Sequence, residues 1–556
     1  MQRISPALIA TNSITASGRF LRPALFCCVA LVTLFAPASM AAEPVKPDFI
    51  SIRIAFIEDE EFATNLRRLL ELEAQALVLM EDEPLKLGSI GAAILEIYAG
   101  SQTGHRAMIR YYEHVDAEDA GRTHAQHLMR IQGLMRASGD GSPEHPFLVM
   151  TRHDAHSFTQ DMNATPVGAI YQSSENVDLG LMLVSRPEKA KLRQAFYDLT
   201  HTLKAFDLSD SEHDDQTVHP WAAIRMLAAE MDSAAQTAIG AYLTNIQKYE
   251  DAIGWLKVAS RTGNVLANSL LARIYWTQSE SEEDNESADE LRELSLENHL
   301  HAIALGSTDS MYTLANLYLN DFYGEENRSS AIPLLEQAGG LGHVEALIYL
   351  GHLYNTGQNV SLDKDRAATY FEQAAGLDNV DAILNYGRFA LGQRDATKDY
   401  RQLHEWLTRL ANDRNPEAMI VLGNLLARGI GTEQSNRKAI RWYKKAVSTA
   451  PENPDIVNEV VWTLTVSDID GLKRTRYAKR SMDRLMNGVA EAREWPEYLD
   501  TWAATHAARG DFERAIELQE QAIEAARNQQ REDVLDILTT HLEKFRAGSA
   551  IVEPAP

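Results

Sequence analysis

The chain has 556 residues and carries 79 acidic against 53 basic side chains, a formal charge of -26. Its length allows two or three domains, and its negative field disfavours nucleic acid and anionic lipid surfaces as partners. Its two cysteines, Cys27 and Cys28, stand side by side near the start, which excludes disulfides, thiol catalysis and cysteine metal sites from everything downstream.

Arg19 and Arg22 precede an apolar run, Ala24 to Ala36, and Pro37-Ala38-Ser39-Met40-Ala41-Ala42-Glu43 supplies the small residues of a cleavage site. This predicts a signal peptide over 1–42, cut near Ala41 or Ala42, and an exported chain, periplasmic in a Gram-negative cell and secreted otherwise. The run is shorter than the roughly 20 residues a spanning helix needs. No later segment is apolar enough to span a bilayer, so no membrane span is expected in the mature chain. Leu25-Phe26 ahead of the cysteines lacks the small residues of a lipidation site.

Residues 48–207 read as a helical segment followed by a small α+β domain. Phe62 to Met80 keeps Leu66, Leu69, Leu70, Ala74 and Leu77 in helical register, and Gly88 to Ala99 and His105 to His114 continue the pattern. Pro146 to Met150, Val167 to Tyr171 and Leu179 to Val184 read as short strands, the last two joined around Ser174-Glu175-Asn176. Lys189 to Phe206 reads as an amphipathic helix, and 208–218 as an acidic linker.

Candidate chemistry in this region is sparse. His124 and His127, and His153 and His156, each have H-x-x-H spacing, which zinc could use only with a third ligand; neither has the H-E-x-x-H arrangement. Ser89 in Gly88-Ser89-Ile90-Gly91 reads as a helix cap rather than a nucleophile. Asp207 to Asp215 and Glu282 to Glu290 are acidic but lack the central Gly and terminal Glu of an EF-hand loop. Neither a Walker A sequence nor a G-x-G-x-x-G after a strand is present. No catalytic, cofactor-binding or metal-ligating residue is therefore assigned, and no cofactor is expected.

The second half is repetitive. Ser310, Ala346, Ala382 and Ala418 stand 36 residues apart, as do Ala315, Gly351, Gly387 and Gly423. Ala302, Ala338, Ala374, Leu410 and Ala446 keep the same step. Small residues returning at one interval predict helical units that each pack on the next. In HVEALIYLGHLYN, His343 to Asn355, a small residue is followed by Leu350, Gly351 and Tyr354; then come a Gly-containing turn, Thr356 to Val360, and Asp363 to Ala367 with Tyr370, Phe371, Ala374 and Ala375. This unit resembles a Sel-one-like repeat (SLR), a branch of the tetratricopeptide (TPR) superfamily. Ile420 to Gly429 with Lys438-Ala439 and Trp442 to Ala446 is a second good copy, whereas Ala382 to Gly392 has Ala390 where Tyr is usual.

The resemblance implies a mainly α fold, a right-handed α-α solenoid of SLR/TPR helix hairpins over 219–450. A degenerate and TPR-like stretch over 451–545 follows, with Pro451 and Pro454 at the break, then a disordered tail, 546–556. The step from Ala267 to Ser310 is 43 residues, and the extra residues fall in the acidic run Ser279 to Asn298, read as an exposed loop or helix extension. Glu497 to Arg527 resembles an ordinary tetratricopeptide unit, and Glu532 to Phe545 a capping helix.

Two surface features invite partners. Arg437, Lys438, Arg441, Lys444 and Lys445, followed by Lys473, Arg474, Arg476, Lys479 and Arg480, form a basic cluster, read as a solvated face or a strip for an acidic partner. Trp255, Tyr275, Tyr318, Tyr354, Tyr370 and Trp442 read as core, with a peptide groove as the alternative. The family resemblance, to exported bacterial members, implies a non-enzymatic scaffold or regulator that binds protein partners in the envelope or outside the cell. The alternative is a hydrolase-like or ligand-binding activity in the N-terminal α+β domain, with the repeats presenting substrate.

Overall fold

The computed structural model describes residues 49–174, 177–205, 220–393 and 399–554; the leader 1–42, the linker 208–218 and the turn at 175–176 lie outside them. The N-terminal part is helical from Phe49 to Ser138, with its longest helices at Phe62–Asp82 and Glu118–Ser138. A four-stranded sheet follows, β1 (Phe147–Leu148), β2 (Ala164–Ser174), β3 (Val177–Pro187) and β4 (Arg193–Asp198), in the order β1-β4-β3-β2. Only the β1–β4 pair is parallel.

The stretch Lys189 to Phe206, expected to be a helix, is described as far as Ala205, where it is instead β4 and a short helix, Thr202–Ala205. Pairing with β3 from Ser185↔Arg193 to Gly180↔Asp198 decides this, a non-local partner overriding local pattern. Both faces of the sheet are covered. Leu181, Leu183 and Tyr197 turn toward the N-terminal helices, while Met182, Val184 and Phe196 turn toward Val265 and Ala302 of the solenoid. That double burial explains the uninterrupted apolar run of β3. The domain boundary expected near 207–219 is also not a break in packing, because Ala223, Ile224 and Leu227 share one core with Phe62, Leu66 and Leu199.

From Ser233 to Arg546 the chain is an α-α solenoid of antiparallel helix pairs. The first helices of its regular units, Thr308–Leu319, Val344–Thr356, Val380–Gly392 and Pro416–Arg428, begin at Ser307, His343, Asn379 and Asn415. Each of these four side chains accepts the backbone N–H three residues on, so the N-cap recurs with the same step as the small residues. The helices Val344–Thr356 and Pro416–Arg428 end on Gly357 and Gly429, whose φ values of 75° and 74° a side chain would strain.

The small residues admit large ones. A Cβ at Gly351 would stand 2.8 Å from the Phe371 ring, one at Gly423 2.5 Å from the Tyr443 ring, and one at Gly387 2.5 Å from Val421. Tyr443 is further fixed by donating its hydroxyl to Asn424 Oδ1 at 2.7 Å. The acidic run does not form a loop: it lengthens one hairpin, whose helices Val265–Ser281 and Asn285–Ala304 span 17 and 20 residues against 13 in Val344–Thr356. Asp284 caps the second of these through Ser287 N.

Pro454 does not interrupt the array. It occupies the first turn of Pro454–Val466 behind the cap Asn453, where its missing N–H costs nothing, and this helix pairs with Thr475–Gly488 as earlier units do. The tail is ordered as far as Pro554, contrary to expectation. Gly548 turns the chain back, Ile551 is buried at 2 % exposure, and Glu553 bridges to Ser467. His541 holds this end: its Nδ1 lies 2.9 Å from Asp500 Oδ1 and its Nε2 3.3 Å from Glu553 Oε1. Burial works to lower the His541 pKa, but the bond and charge of Asp500, then of Glu553, outweigh it and the net shift is upward.

Gly351→Leu and Gly423→Leu should each destabilise the protein by about 1 to 3 kcal/mol through overpacking. Gly254→Ala, in an exposed helix interior with nothing near the added carbon, should instead gain up to about 1 kcal/mol. Thermal melts of the three variants test the interlock, which fails if the leucine variants melt like the parent.

Candidate functional site

Where the sheet meets the solenoid, Asn264 is the joint. It caps Val265–Ser281 through Leu266 N at 3.1 Å, while its Nδ2 donates to Ala169 O of β2 at 2.8 Å and to Thr237 Oγ1 at 2.9 Å. Gly168 allows the approach, since a Cβ there would lie 2.8 Å from Asn264 Oδ1. At the far end of β3, Arg186 Nη1 donates to Ala304 O at 3.1 Å. The turn between β3 and β4 is thereby held beside the first long hairpin, and a cleft of about 780 Å³ opens between them.

The cleft has an apolar floor of Val184, Leu192, Val265, Leu266 and Leu317, with Trp276 at one side. The first turn of Thr308–Leu319 opens onto it, as do Lys191, Arg193 and Arg273. Among the described residues Arg193 and Arg273 form no ion pair. Lys191 faces Asp309, whose pKa is lowered chiefly by the hydrogen bond with His343 and in part by Lys191. His299 also lines the cleft; it is 6 % exposed, and its Nδ1 has no partner. Burial pushes its pKa down to about 4, so a neutral ring faces the cavity at neutral pH.

A second polar cluster lies inside the N-terminal part. Glu73, fully buried on Phe62–Asp82, accepts hydroxyl hydrogens from Ser101 at 2.6 Å and Thr151 at 2.7 Å. Those two hydroxyls cap the helices Gln102–His114 and Arg152–Asp161. Asp154, in the first turn of the latter, accepts Gln102 N at 3.0 Å. Two helix N-termini therefore converge on two carboxylates. Burial, and for Glu73 the neighbouring Asp154 charge, raise both pKa values. Neither carboxylate lines the cleft or the smaller groove beside Arg152. Arg152 pairs with Asp232, whose other oxygen caps Ser233–Asn245 and whose Oδ2 accepts Tyr171 Oη at 3.3 Å. The cluster thus joins helices.

The other predicted residues are dispersed. His153 and His156 line the groove beside Arg152. His124 meets His105 at 3.0 Å between Nδ1 atoms, with the His127 ring 5.5 Å from that of His105, and burial foremost pushes the His105 pKa down to about 4. Among the described residues no group of three or more His, Cys, Asp or Glu is placed to hold a metal ion, and no helix is long and apolar enough to cross a membrane. Ser89 lies inside Leu87–Ile97 and donates to Lys86 O rather than capping the helix. Tyr275, Tyr318 and Tyr354 are buried as core, Tyr370 and Trp442 are half-buried, and Trp255 is exposed. Apart from Lys473 and Arg474, which precede the second helix, the basic cluster lies on the neighbouring second helices Asn436–Thr449 and Thr475–Gly488, where Lys444 stands 5.1 Å over Tyr477 and Lys445 4.5 Å over Trp442. Arg193, Arg273 and His299 carried no local motif. Glu73 did carry a signal, an acid in register with Leu66, Leu69 and Leu70.

Comparison with known proteins agrees with the repeat architecture. Residues 308–343, 344–379 and 416–448 match the family model of the Sel1 repeat, so the chain carries Sel1 repeats. Similar solved structures include a Sel1 repeat protein from Oxalobacter formigenes (21% identity, 50% of this chain and 88% of that one, TM-score 0.34). Others are c5321, a protective antigen of uropathogenic Escherichia coli strains with an SLR fold (15%, 84% and 97%, 0.33), and yeast Tom70 (12%, 86% and 96%, 0.31). No curated relative matches the chain. The unmatched unit, 380–415, is the one with Ala390 in place of Tyr, yet Gly387 still faces Leu407 there as Gly351 faces Phe371.

An acid whose folded pKa is raised keeps a proton that the unfolded chain has already lost. The native state therefore loses stability as pH climbs from the ordinary carboxylate range toward the raised values. Glu73→Gln, which keeps the shape without the charge, should remove part of this slope, gaining on the order of 1 to 3 kcal/mol on the parent between pH 5 and 8. Denaturant titrations across that range check it, and parallel pH profiles would refute it.

Proposed function

We propose that the chain is an exported, non-enzymatic scaffold or regulator that binds a protein partner through its solenoid, with the cleft between the sheet and the first long hairpin as a principal contact. The observation that carries this reading is the presence of Arg193 and Arg273, unpaired among the described residues, around an apolar floor, on a chain whose net charge is -26. Apolar floors rimmed by free cations suit an extended partner segment with acidic side chains. The Sel1 repeats support it, since such repeats typically serve protein–protein interaction. Export rests on the leader pattern of 1–42. The second reading, a hydrolase-like activity in the N-terminal part, draws on Glu73 and Asp154, whose enclosure within the core counts against it.

Residues 42–556, immobilised and exposed to envelope extract, should retain a protein partner that Arg193→Glu/Arg273→Glu binds at least about tenfold more weakly, or about 1.4 kcal/mol. Equal affinity for the two would remove the cleft from the interface. Capture of no protein, together with turnover of a small substrate that Asp154→Asn abolishes, would replace the scaffold reading with the enzymatic one.

A further inference from the structure

The C-terminal segment is seated as a bound peptide would be. Beyond Gly548 the side chains alternate: Ile551 enters the core, Val552 points outward at 56 % exposure, and Glu553 turns in toward His541. Its backbone makes a parallel bridge, Glu553 N donating to Val466 O at 3.0 Å and Asp468 N to Glu553 O at 2.9 Å. Main-chain bonds for affinity and alternate side-chain pockets for selectivity define recognition by strand addition. The receiving site is built from three separate helices of the array. Pro454–Val466 supplies the backbone and Trp462, Pro496–Ala507 supplies Asp500, and Glu532–Arg546 supplies His541. The Trp462 and His541 rings lie 5.7 Å apart, and Asp500 fixes the imidazole from behind.

We propose that this groove is a docking site for an extended segment of a partner protein bearing an aliphatic residue and, two residues later, a carboxylate, and that residues 549–554 are its displaceable internal occupant. The site is separate from the cleft beside the sheet and does not depend on it. Several features make the occupant exchangeable. The turn at Gly548 sets it off from the preceding helix, its outward residue Val552 is left exposed, and His541 keeps Asp500 as a partner when Glu553 departs.

The probe is a fluorescein-labelled peptide of residues 547–556, added to the full chain and followed by anisotropy. With the groove filled, the parent should bind it poorly. Full-length Ile551→Asp, whose own segment no longer fits, should bind it at least about tenfold more tightly, since the competent fraction sets the apparent affinity. A peptide with aspartate in place of the isoleucine should not bind. No binding by an Ile551→Asp chain that melts like the parent would overturn the proposal. So would dimers of the parent dissolved by the peptide, which would assign the groove to a second copy. As a measurement independent of any variant, hydrogen exchange in the parent should show the Glu553 and Asp468 amides opening faster than the amides of Glu532–Arg546. Equal protection would mean that the segment never leaves.

Discussion

The close approach of two helices within each hairpin governs this molecule. It requires a residue with little or no side chain on the first helix wherever a bulky one enters from the second, as Gly351 does for Phe371 and Gly423 for Tyr443. Interior packing density leaves no slack at such a contact. Because the same exchange of small for large recurs at a fixed step, each hairpin adopts nearly the same internal geometry, and the array extends by repetition. The caps at Ser307, His343, Asn379 and Asn415 start each first helix at the same point in that cycle.

The N-terminal part interrupts the repetition and gives it an address. Asn264 is at once the cap of a solenoid helix and a hydrogen-bond donor to the edge of the sheet. The cleft lies beside that joint, where β3 turns into β4. The protein therefore has one region made by repetition and one where a sheet meets that repetition and a cavity lies between them. Buried carboxylates serve the same end, since Glu73 ties the starts of two helices to a third and Asp232 ties the sheet side to the solenoid.

Much of the solenoid was legible because its information is local and repeated. The small residues, the Gly turns and the aromatic positions each recur within one hairpin. The caps escaped notice although their spacing is the same, because Ser, His and Asn disguise one role with three chemistries. β4 was illegible for a different reason: Leu192, Ala195 and Phe196 fit a helical face as well as a strand, and only the neighbouring β3 decides between them. With that stretch read as a helix, Arg193 could not be placed at a cleft. Arg273 and His299 come from opposite arms of the long hairpin, and no sequence spacing announces that they face one cavity. The basic strip, by contrast, was legible as a strip, but its ring contacts at Tyr477 and Trp442 depend on which helices become neighbours.

The bridge between Ser467 and Glu553 alters how the end of the array comes apart. In a simple solenoid each hairpin answers only to the next, so the last one frays first and the loss travels inward step by step. Here the final strand reaches back past intervening helices, and His541 links it to Asp500 on the way. The terminal hairpins cannot peel off singly while that strand stays in place; they behave as one cooperative block with a common unfolding event. Forming the block also needs a contact between residues far apart along the chain, so it closes late in folding, after the local hairpins exist.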